Sequence, residues 1–287
     1  MPTVRLAALS ILTMMAFAAN SVLSRLALAE SEIGAGSFVL LRLLSGALIL
    51  VLWVRKREQV WRGNWAGAIS LLLYAVFFTY AYLALPAGTG AVILFAVVQF
   101  TMLGWGFYQG ERLALRQIAG LALSAGCLIW LLSPGLGAPT PLAAAAMALA
   151  GVGWGAYSLL GRGVSNPTAT TCGNFLRASL IGLLLLGPIL WLQPEPMPSL
   201  KGVSLALVSG ALTSGLGYAL WYQVVKHLRA TQAGMAQLSV PAFAALGGVV
   251  FLSEPLTLRF SLATLGILSG VALAVLTRAQ TSTKAEA

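Results

Sequence analysis

The chain has 287 residues, of which 59% are hydrophobic and only 8% are charged, and its mean hydropathy is +0.90. Soluble domains carry about 25% charged residues, so the composition excludes a soluble enzyme and indicates an integral membrane protein. The net charge of +10 comes from basic residues between apolar stretches, which set orientation in a membrane and do not indicate nucleic-acid binding. Two cysteines and a single histidine cannot form a disulfide framework or a zinc cluster, and we expect no metal and no cofactor.

Ten apolar stretches follow one another along the chain, each near the roughly 20 residues that a helix needs to cross the hydrocarbon layer. We predict membrane-spanning helices at residues 4–26, 36–54, 65–85, 88–108, 113–132, 141–161, 168–192, 202–224, 230–252 and 257–277. The first stretch has a signal-peptide pattern, because Arg5 precedes an apolar run that ends in Ala18. This stretch has a counterpart in the second half, so we expect it to be retained as a helix.

The second half of the sequence repeats the first. Met14–Arg25 aligns with Gly151–Arg162, 137 positions further along the chain. Matched pairs at this or similar spacings are Phe17 with Trp154, Arg42 with Arg177, Thr89 with Thr231, and Glu111 with Glu254. We therefore divide the chain into two five-helix repeats, residues 1–136 and 137–287, which together form one transport domain.

The basic residues predict the orientation. With the N-terminus inside, 12 Lys and Arg residues lie on the cytoplasmic side and three lie outside, while Arg42 and Arg177 fall within spans. The positive-inside rule then places both termini in the cytoplasm of a multi-pass protein in the cell (inner) membrane. Because five spans is an odd number, the second repeat enters from the opposite face. Such inverted repeats are common in secondary transporters.

Recurring motifs resemble those of the drug/metabolite transporter superfamily and its EamA family. Each half has an arginine early in its second helix, Arg42 or Arg177, and each has a Gly/Ser-Glu-x-Leu motif after its fourth, at Gly110–Leu113 and Ser253–Leu256. The eighth helix, with Tyr218–Tyr222, is also similar to that family. The resemblance covers nearly the whole chain and implies an all-α membrane transporter of ten helices.

The ninth helix resembles the family's in carrying Pro241 within the stretch Pro241–Leu246. The fourth helix departs from the family pattern, because Gln99 stands where a mid-helix proline is expected. Within the family the chain is most similar to the YddG-type exporters of aromatic and other neutral amino acids. That resemblance implies a small-molecule substrate that is an amino acid.

Gln99 is the first candidate for a substrate contact. It lies about 11 residues into its span, which at 1.5 Å per residue is roughly 16 Å deep and close to the midplane. A polar side chain in hydrocarbon costs free energy unless it is paired or faces a watered cavity. Gln99 therefore contacts substrate or makes an interhelical hydrogen bond.

Aromatic and polar faces on other helices supply further candidates. The third and eighth spans carry matching sets at i, i+4 and i+8, which place each set along one side of a helix. A tyrosine in such a face either lines a cavity for an amino acid or belongs to an interfacial belt, and the belt fits Tyr80 and Trp221 best. The first and sixth helices carry Asn20 and Tyr157 at equivalent positions, where they either form a pair of gates or simply pack. Pro241 frees a helix carbonyl near Gln237, and this carbonyl either binds an ammonium group or only marks a kink. The expected substrate-binding residues are Asn20, Tyr74, Phe78, Tyr82, Gln99, Trp154, Tyr157, Ser158, Tyr218, Tyr222 and Gln237.

Two further features are expected to be structural. Arg42 and Arg177 lie deep enough in their spans to need a partner, and we expect both to bond loop carbonyls, with carboxylate binding as the alternative. Gly266 and Gly270 form a GxxxG pattern that packs within the bundle or joins two protomers. We accordingly expect a monomer or a weak homodimer.

Missing residue types constrain the function. The sequence contains no aspartate, and each glutamate falls in a predicted loop or at the edge of a span. Proton-coupled carriers use an intramembrane acid or histidine as a relay, so we expect export of neutral metabolites, amino acids above all, down the substrate gradient by alternating access. No catalytic residues are evident, and we expect no enzyme. Sugar phosphates bound by Arg42 and Arg177 are the alternative substrates, and a non-transporting membrane enzyme or scaffold is the alternative class.

Overall fold

The computed structural model describes residues 3–54, 57–108, 114–133, 139–228, 233, 236–237 and 239–276. Within them the membrane-spanning helices are α1 Thr3–Ala29, α2 Ala35–Trp53, α3 Trp65–Ala81, α4 Ala87–Tyr108, α5 Leu115–Leu132, α6 Pro141–Gly161, α7 Pro167–Leu192, α8 Leu200–Val225, α9 Val240–Leu252 and α10 Leu258–Leu276. Seven of these helices are long and apolar enough to cross a membrane, and α3, α9 and α10 supply shorter apolar stretches. The all-helical class and the ten-helix count predicted from the sequence are confirmed.

Side-chain caps fix several helix starts. Asn64 accepts a hydrogen bond from the N–H of Gly67 at 2.7 Å before α3, and Asn166 caps α7. Ser199 does the same for α8. Such caps satisfy backbone donors that a helix end leaves unpaired. The predicted spans differ from the structure mainly at the third, which ends at Ala81 rather than residue 85, and at the ninth, whose first residues lie partly outside the described ranges.

The packing of the helices is compatible with the predicted repeat. Helices at equivalent positions of the two halves pack on each other in three cases: α2 on α7, α4 on α9, and α5 on α10. In addition, α3 contacts α6, and their equivalents α8 and α1 contact each other in the same way. Phe17 and Trp154, which the repeat pairs, meet at the centre with ring centroids 5.1 Å apart. Equivalent residues touch when they lie beside the axis that relates two repeats. The middle of the molecule is therefore built from both halves.

The GxxxG pattern of α10 is used inside the bundle. A Cβ added to Gly270 would lie 2.5 Å from the carbonyl oxygen of Gly120 on α5, and one added to Gly266 would meet the thiol of Cys127. Ser124 of α5 also donates to the carbonyl of Ile267 at 3.0 Å. The two glycines thus allow α5 and α10 to approach closely.

At one end of the bundle, hydrogen bonds and an ion pair join the two halves of the chain. Glu195, between α7 and α8, accepts hydrogen bonds from the N–H groups of Gly36 and Ser37 at 2.9 Å each and so caps α2. On the same end Lys201 forms an ion pair with Glu32 at 3.2 Å. The hydroxyl of Ser199 and then the ammonium of Lys201 lower the pKa of Glu32, which keeps this carboxylate charged.

At the opposite end Arg177 behaves as the sequence predicts. Its guanidinium donates to the carbonyls of Trp61 at 2.8 Å and Arg62 at 3.1 Å, both in the connection between α2 and α3. Asn174, one helical turn away, accepts from the N–H of Asn64 at 3.1 Å. The expectation that Arg177 bonds loop carbonyls is confirmed.

The predicted orientation can be tested by cysteine labelling at the two ends. Met197 is 97% exposed in the loop before α8, and a side chain added to Gly163, after α6, meets no atom within 4 Å. We predict that Met197→Cys reacts with an impermeant maleimide in intact cells, and that Gly163→Cys reacts only after lysis. The unmodified chain, with Cys127 and Cys172, is the control for background labelling. The reverse pattern would overturn the orientation.

Candidate substrate site

Tyr218 lies at the centre of a buried aromatic cluster between the two halves. Its ring centroid is 4.6 Å from that of Trp154 and 6.0 Å from that of Tyr74. The other rings joined to this cluster, directly or through a neighbour, belong to Phe17, Phe78, Tyr82, Phe95, Tyr157, Phe175, Trp221 and Tyr222. The predicted aromatic faces of the third and eighth helices therefore meet. Sequence reasoning missed Phe17 as part of the cluster, although its alignment with Trp154 was a usable signal.

Asn20 organises the hydrogen bonds at the edge of this cluster. Its amide nitrogen donates to the hydroxyl of Tyr74 at 3.0 Å. Its amide oxygen accepts from the hydroxyls of Ser209 at 2.8 Å and Thr213 at 3.1 Å. Asn20 is 1% exposed, so these bonds offset the cost of burying its amide. The sequence identified Asn20 but not Ser209 and Thr213 as its partners on α8.

A π-helical segment in α8, Ser209–Leu216, presents those hydroxyls. π-Helical turns are rare and occur frequently at functional sites. Gly210 lies against α2, where an added Cβ would be 2.2 Å from the carbonyl oxygen of Arg42. The close approach brings Ser214 within hydrogen-bonding distance of Arg42. The irregular helix is thus placed where the polar groups of α1, α2 and α8 converge.

Arg42 does not bond loop carbonyls, and that expectation is wrong for this residue. Its guanidinium donates to the hydroxyls of Ser214 at 2.9 Å, Tyr74 at 3.0 Å and Tyr218 at 2.6 Å. It also lies 4.9 Å from the ring centroid of Phe78. The side chain turns into the core because α3 and α8 place hydroxyls and ring faces beside it, whereas its repeat equivalent faces loop carbonyls.

Two predicted tyrosines bond backbone carbonyls in this conformation. The hydroxyl of Tyr82 donates to the carbonyl of Ala87 at 3.2 Å, and that of Tyr222 donates to the carbonyl of Tyr157 at 2.8 Å. Both side chains are fully buried. They therefore extend the cluster toward the two ends of the bundle.

Indole groups join the sixth helix to its neighbours. The indole N–H of Trp154 donates to the side-chain oxygen of Gln237 at 2.9 Å, and that of Trp221 donates to the hydroxyl of Ser158 at 3.1 Å. Tyr80 is 43% exposed, as a residue of an interfacial belt should be. Trp221 is fully buried, so its assignment to an interfacial belt is wrong. The reason is the hydroxyl of Ser158, which gives this indole a partner inside the bundle.

Gln99 is 2% exposed on α4. It lies one helical turn beyond Phe95, whose ring stacks with that of Phe17 at 6.5 Å. Residues four apart share a helix face, so Gln99 lies on the face of α4 that meets α1 near the cluster. Pro241 lies in the first turn of α9, and residues 236–237 before it are also helical. That Pro241 frees a carbonyl near Gln237 stays a prediction.

An ion pair ties α1 to the connection after α9. Arg25 lies 3.3 Å from a carboxylate oxygen of Glu254 and also donates to the carbonyl of Tyr82 at 2.9 Å. The other oxygen of Glu254 accepts from the N–H of Ala87 at 2.8 Å, at the start of α4. The motif of the first half that matches this region, Gly110–Leu113, lies outside the described residues.

An apolar groove adjoins the polar groups. It has a volume of about 580 Å³ and runs between α1, α8 and α9, with Phe243 and Phe251 on one wall. Thr213 lines it as well, and this residue also donates to Asn20. The groove and the buried hydrogen-bond network therefore share a wall.

A bundle of ten apolar helices with buried polar groups at its centre is compatible with the architecture of secondary transporters. A model of the EamA-like transporter family matches residues 141–276. An uncharacterized protein of Pseudomonas aeruginosa is 48% identical over 276 residues, which is 95% of either chain. The uncharacterized transporter YwfM of Bacillus subtilis is 28% identical over 81% of this chain and 82% of its own length.

A similar fold is found in a solved crystal structure, which matches with a TM-score of 0.66 over 93% of this chain and 97% of the other at 22% identity. The chain belongs to the EamA-like transporter family, part of the drug/metabolite transporter superfamily. It is therefore a multi-pass membrane protein of a family whose members transport small molecules.

Proposed function

We propose that the protein exports neutral amino acids, aromatic ones in particular, by alternating access through the Tyr218 cluster. The observation that carries this proposal is the convergence of aromatic rings with hydroxyl, amide and guanidinium groups at the interface of the two repeats. Rings suit an apolar side chain, and convergent polar groups suit an amino and a carboxyl group. The resemblance to YddG-type exporters supports the same class of substrate.

The alternatives fit the described residues less well. A sugar phosphate carries close to two negative charges, and Arg42 is the one charged residue that is fully buried in the described part of the chain. A membrane enzyme would need a cluster of reactive side chains, and no group of three His, Cys, Asp or Glu residues occurs among the described residues. A scaffold would not need a buried network of polar groups, which is costly unless used.

In the proposed cycle the two repeats rock about the cluster. The rings around Tyr218 are buried and packed against one another, so substrate enters only when one end opens. Arg25 and Glu254 hold one end together in this conformation and must separate for that end to open. The substrate then leaves on the other side of the cluster.

Uptake into liposomes tests the proposal. Purified protein should import labelled phenylalanine, tyrosine and leucine from outside, down their gradients, at rates well above those of protein-free liposomes. Glucose 6-phosphate should enter no faster than in the protein-free control. Uptake of glucose 6-phosphate without uptake of any amino acid would reject amino acids in favour of the alternative substrate.

A further inference from the structure

Arg42 is a buried cation whose protein partners are all neutral. It is 1% exposed, and its described hydrogen bonds go to the hydroxyls of Ser214, Tyr74 and Tyr218. Every salt bridge among the described residues lies at a helix end and involves Arg25 or Lys201. Removing a cation from water without an anion is costly even when hydroxyls surround it. The charge therefore calls for a counter-ion that the described part of the chain does not supply.

The groups around Arg42 are also rich in donors. The hydroxyl of Tyr74 receives N–H or O–H groups from Asn20, Arg42 and Tyr218, at 3.0 Å in each case. The bond between the Tyr218 and Tyr74 hydroxyls can run in either direction, and in both cases one of the two phenolic O–H groups has no acceptor among the described hydrogen bonds. The Nη1 atom of Arg42 is buried and has no hydrogen-bond partner. A ligand that brings a hydrogen-bond acceptor to this position would satisfy both the phenolic O–H group and the Nη1 atom of Arg42.

A carboxylate fits these groups. Guanidinium binds a carboxylate through two parallel hydrogen bonds, which are stronger than bonds to neutral acceptors. A single cation neutralises a single carboxylate, whereas a phosphate dianion would remain half compensated. The rings of Tyr74 and Phe78 lie beside the guanidinium, at 5.1 and 4.9 Å, and provide an apolar surface next to the charge. The surroundings thus suit a carboxylate attached to an apolar group.

We infer that Arg42 binds the carboxylate of the transported amino acid, with the hydroxyls of Tyr74 and Tyr218 as its co-ligands. The inference rests on the proposed function and specifies how one end of the substrate is recognised. Binding replaces part of the Arg42–tyrosine network with bonds to the ligand. Analogues that lack the carboxylate, such as an amino-acid amide, leave the guanidinium without a counter-ion and bind poorly.

The repeat provides a matched control. Arg177 is equivalent to Arg42 but bonds the carbonyls of Trp61 and Arg62, so it should not affect recognition of the substrate. Phenylalanine and phenylalaninamide are compared as inhibitors of labelled phenylalanine uptake in liposomes. In the unmodified protein phenylalanine should inhibit at a concentration at least about tenfold lower than its amide. Arg42→Gln should reduce this ratio to about one, and Arg177→Gln should leave it unchanged.

A second variant tests the role of Arg42 independently, in case Arg42→Gln does not fold. Asn20 and Arg42 share Tyr74 as a partner, so Asn20→Asp places a carboxylate beside the guanidinium without changing the size of the side chain. This internal anion should compete with the substrate and lower phenylalanine uptake at least about tenfold, while thermal stability is kept.

The possible outcomes separate the two claims. If the unmodified protein transports phenylalanine, and Arg42→Gln and Asn20→Asp both keep its tenfold preference and its rate, the role of Arg42 is rejected and the proposed function stands. If the folded, unmodified protein transports no amino acid, the proposed function is rejected and the inference fails with it.

Discussion

Replacing Gln99 with leucine should lower phenylalanine transport at least about tenfold while the protein remains folded, because the loss of one hydrogen bond to a charged group costs roughly 1.5–3 kcal/mol. Gln99 is 2% exposed on the face of α4 that carries Phe95 and meets α1. Leucine is close in size and apolar, so the helix packing should survive. The change removes the side-chain amide together with the interactions that it makes.

Gln117 offers a matched control for this experiment. It is also a buried glutamine, 4% exposed, but its side chain accepts a hydrogen bond from the N–H of Ala114 at 2.8 Å at the start of α5. Gln117→Leu should lower thermal stability and leave the transport rate per folded protein unchanged. Normal transport by a folded Gln99→Leu variant would remove Gln99 from the substrate site.

The second prediction with a large expected effect is that transport is not coupled to protons. A pH gradient alone should not drive accumulation of substrate, because obligatory proton coupling needs a titratable group inside the membrane. The sequence has no aspartate. Among the described residues the glutamates lie in connections or at helix ends, as Glu58, Glu195 and Glu254 do, and His227 follows α8. The guanidinium of Arg42 stays charged at any relevant pH.

The measurement uses liposomes with equal substrate on both sides and an imposed pH gradient. The internal concentration should stay equal to the external one within error. With a substrate gradient and no pH gradient, uptake should proceed at its full rate. Accumulation driven by the pH gradient, and abolished by Glu254→Gln or Glu111→Gln, would show that these glutamates carry a coupled proton.

The helical spans, and the meeting of two aromatic helix faces, could be predicted because they depend on regular patterns. Hydropathy over about 20 residues locates a membrane helix, and spacing of four residues placed Tyr74 and Phe78 on one face. The alignment of the halves brought that face together with Tyr218. These features follow from local geometry combined with the symmetry of the repeat.

The remaining features depend on side-chain choices that a pattern does not reveal. Arg42 and Arg177 occupy equivalent positions, yet one bonds core hydroxyls and the other bonds loop carbonyls. The π-helix in α8 adds Ser209 and Thr213 to the site. The sequence prediction assumed a regular α-helix and therefore included only the helix face that carries Tyr218. Such differences arise from close backbone contacts across helices, which the sequence of one helix does not encode alone.

Counterflow of labelled phenylalanine measures the central claim most directly. Liposomes that contain the protein are loaded with unlabelled phenylalanine and placed in buffer with a trace of labelled phenylalanine, with equal pH and equal salt on both sides. Alternating access through a single site predicts transient accumulation of label inside, followed by a slow return to equilibrium. Label that enters no faster than in liposomes loaded with buffer alone, or in liposomes without protein, would contradict transport of amino acids by this mechanism.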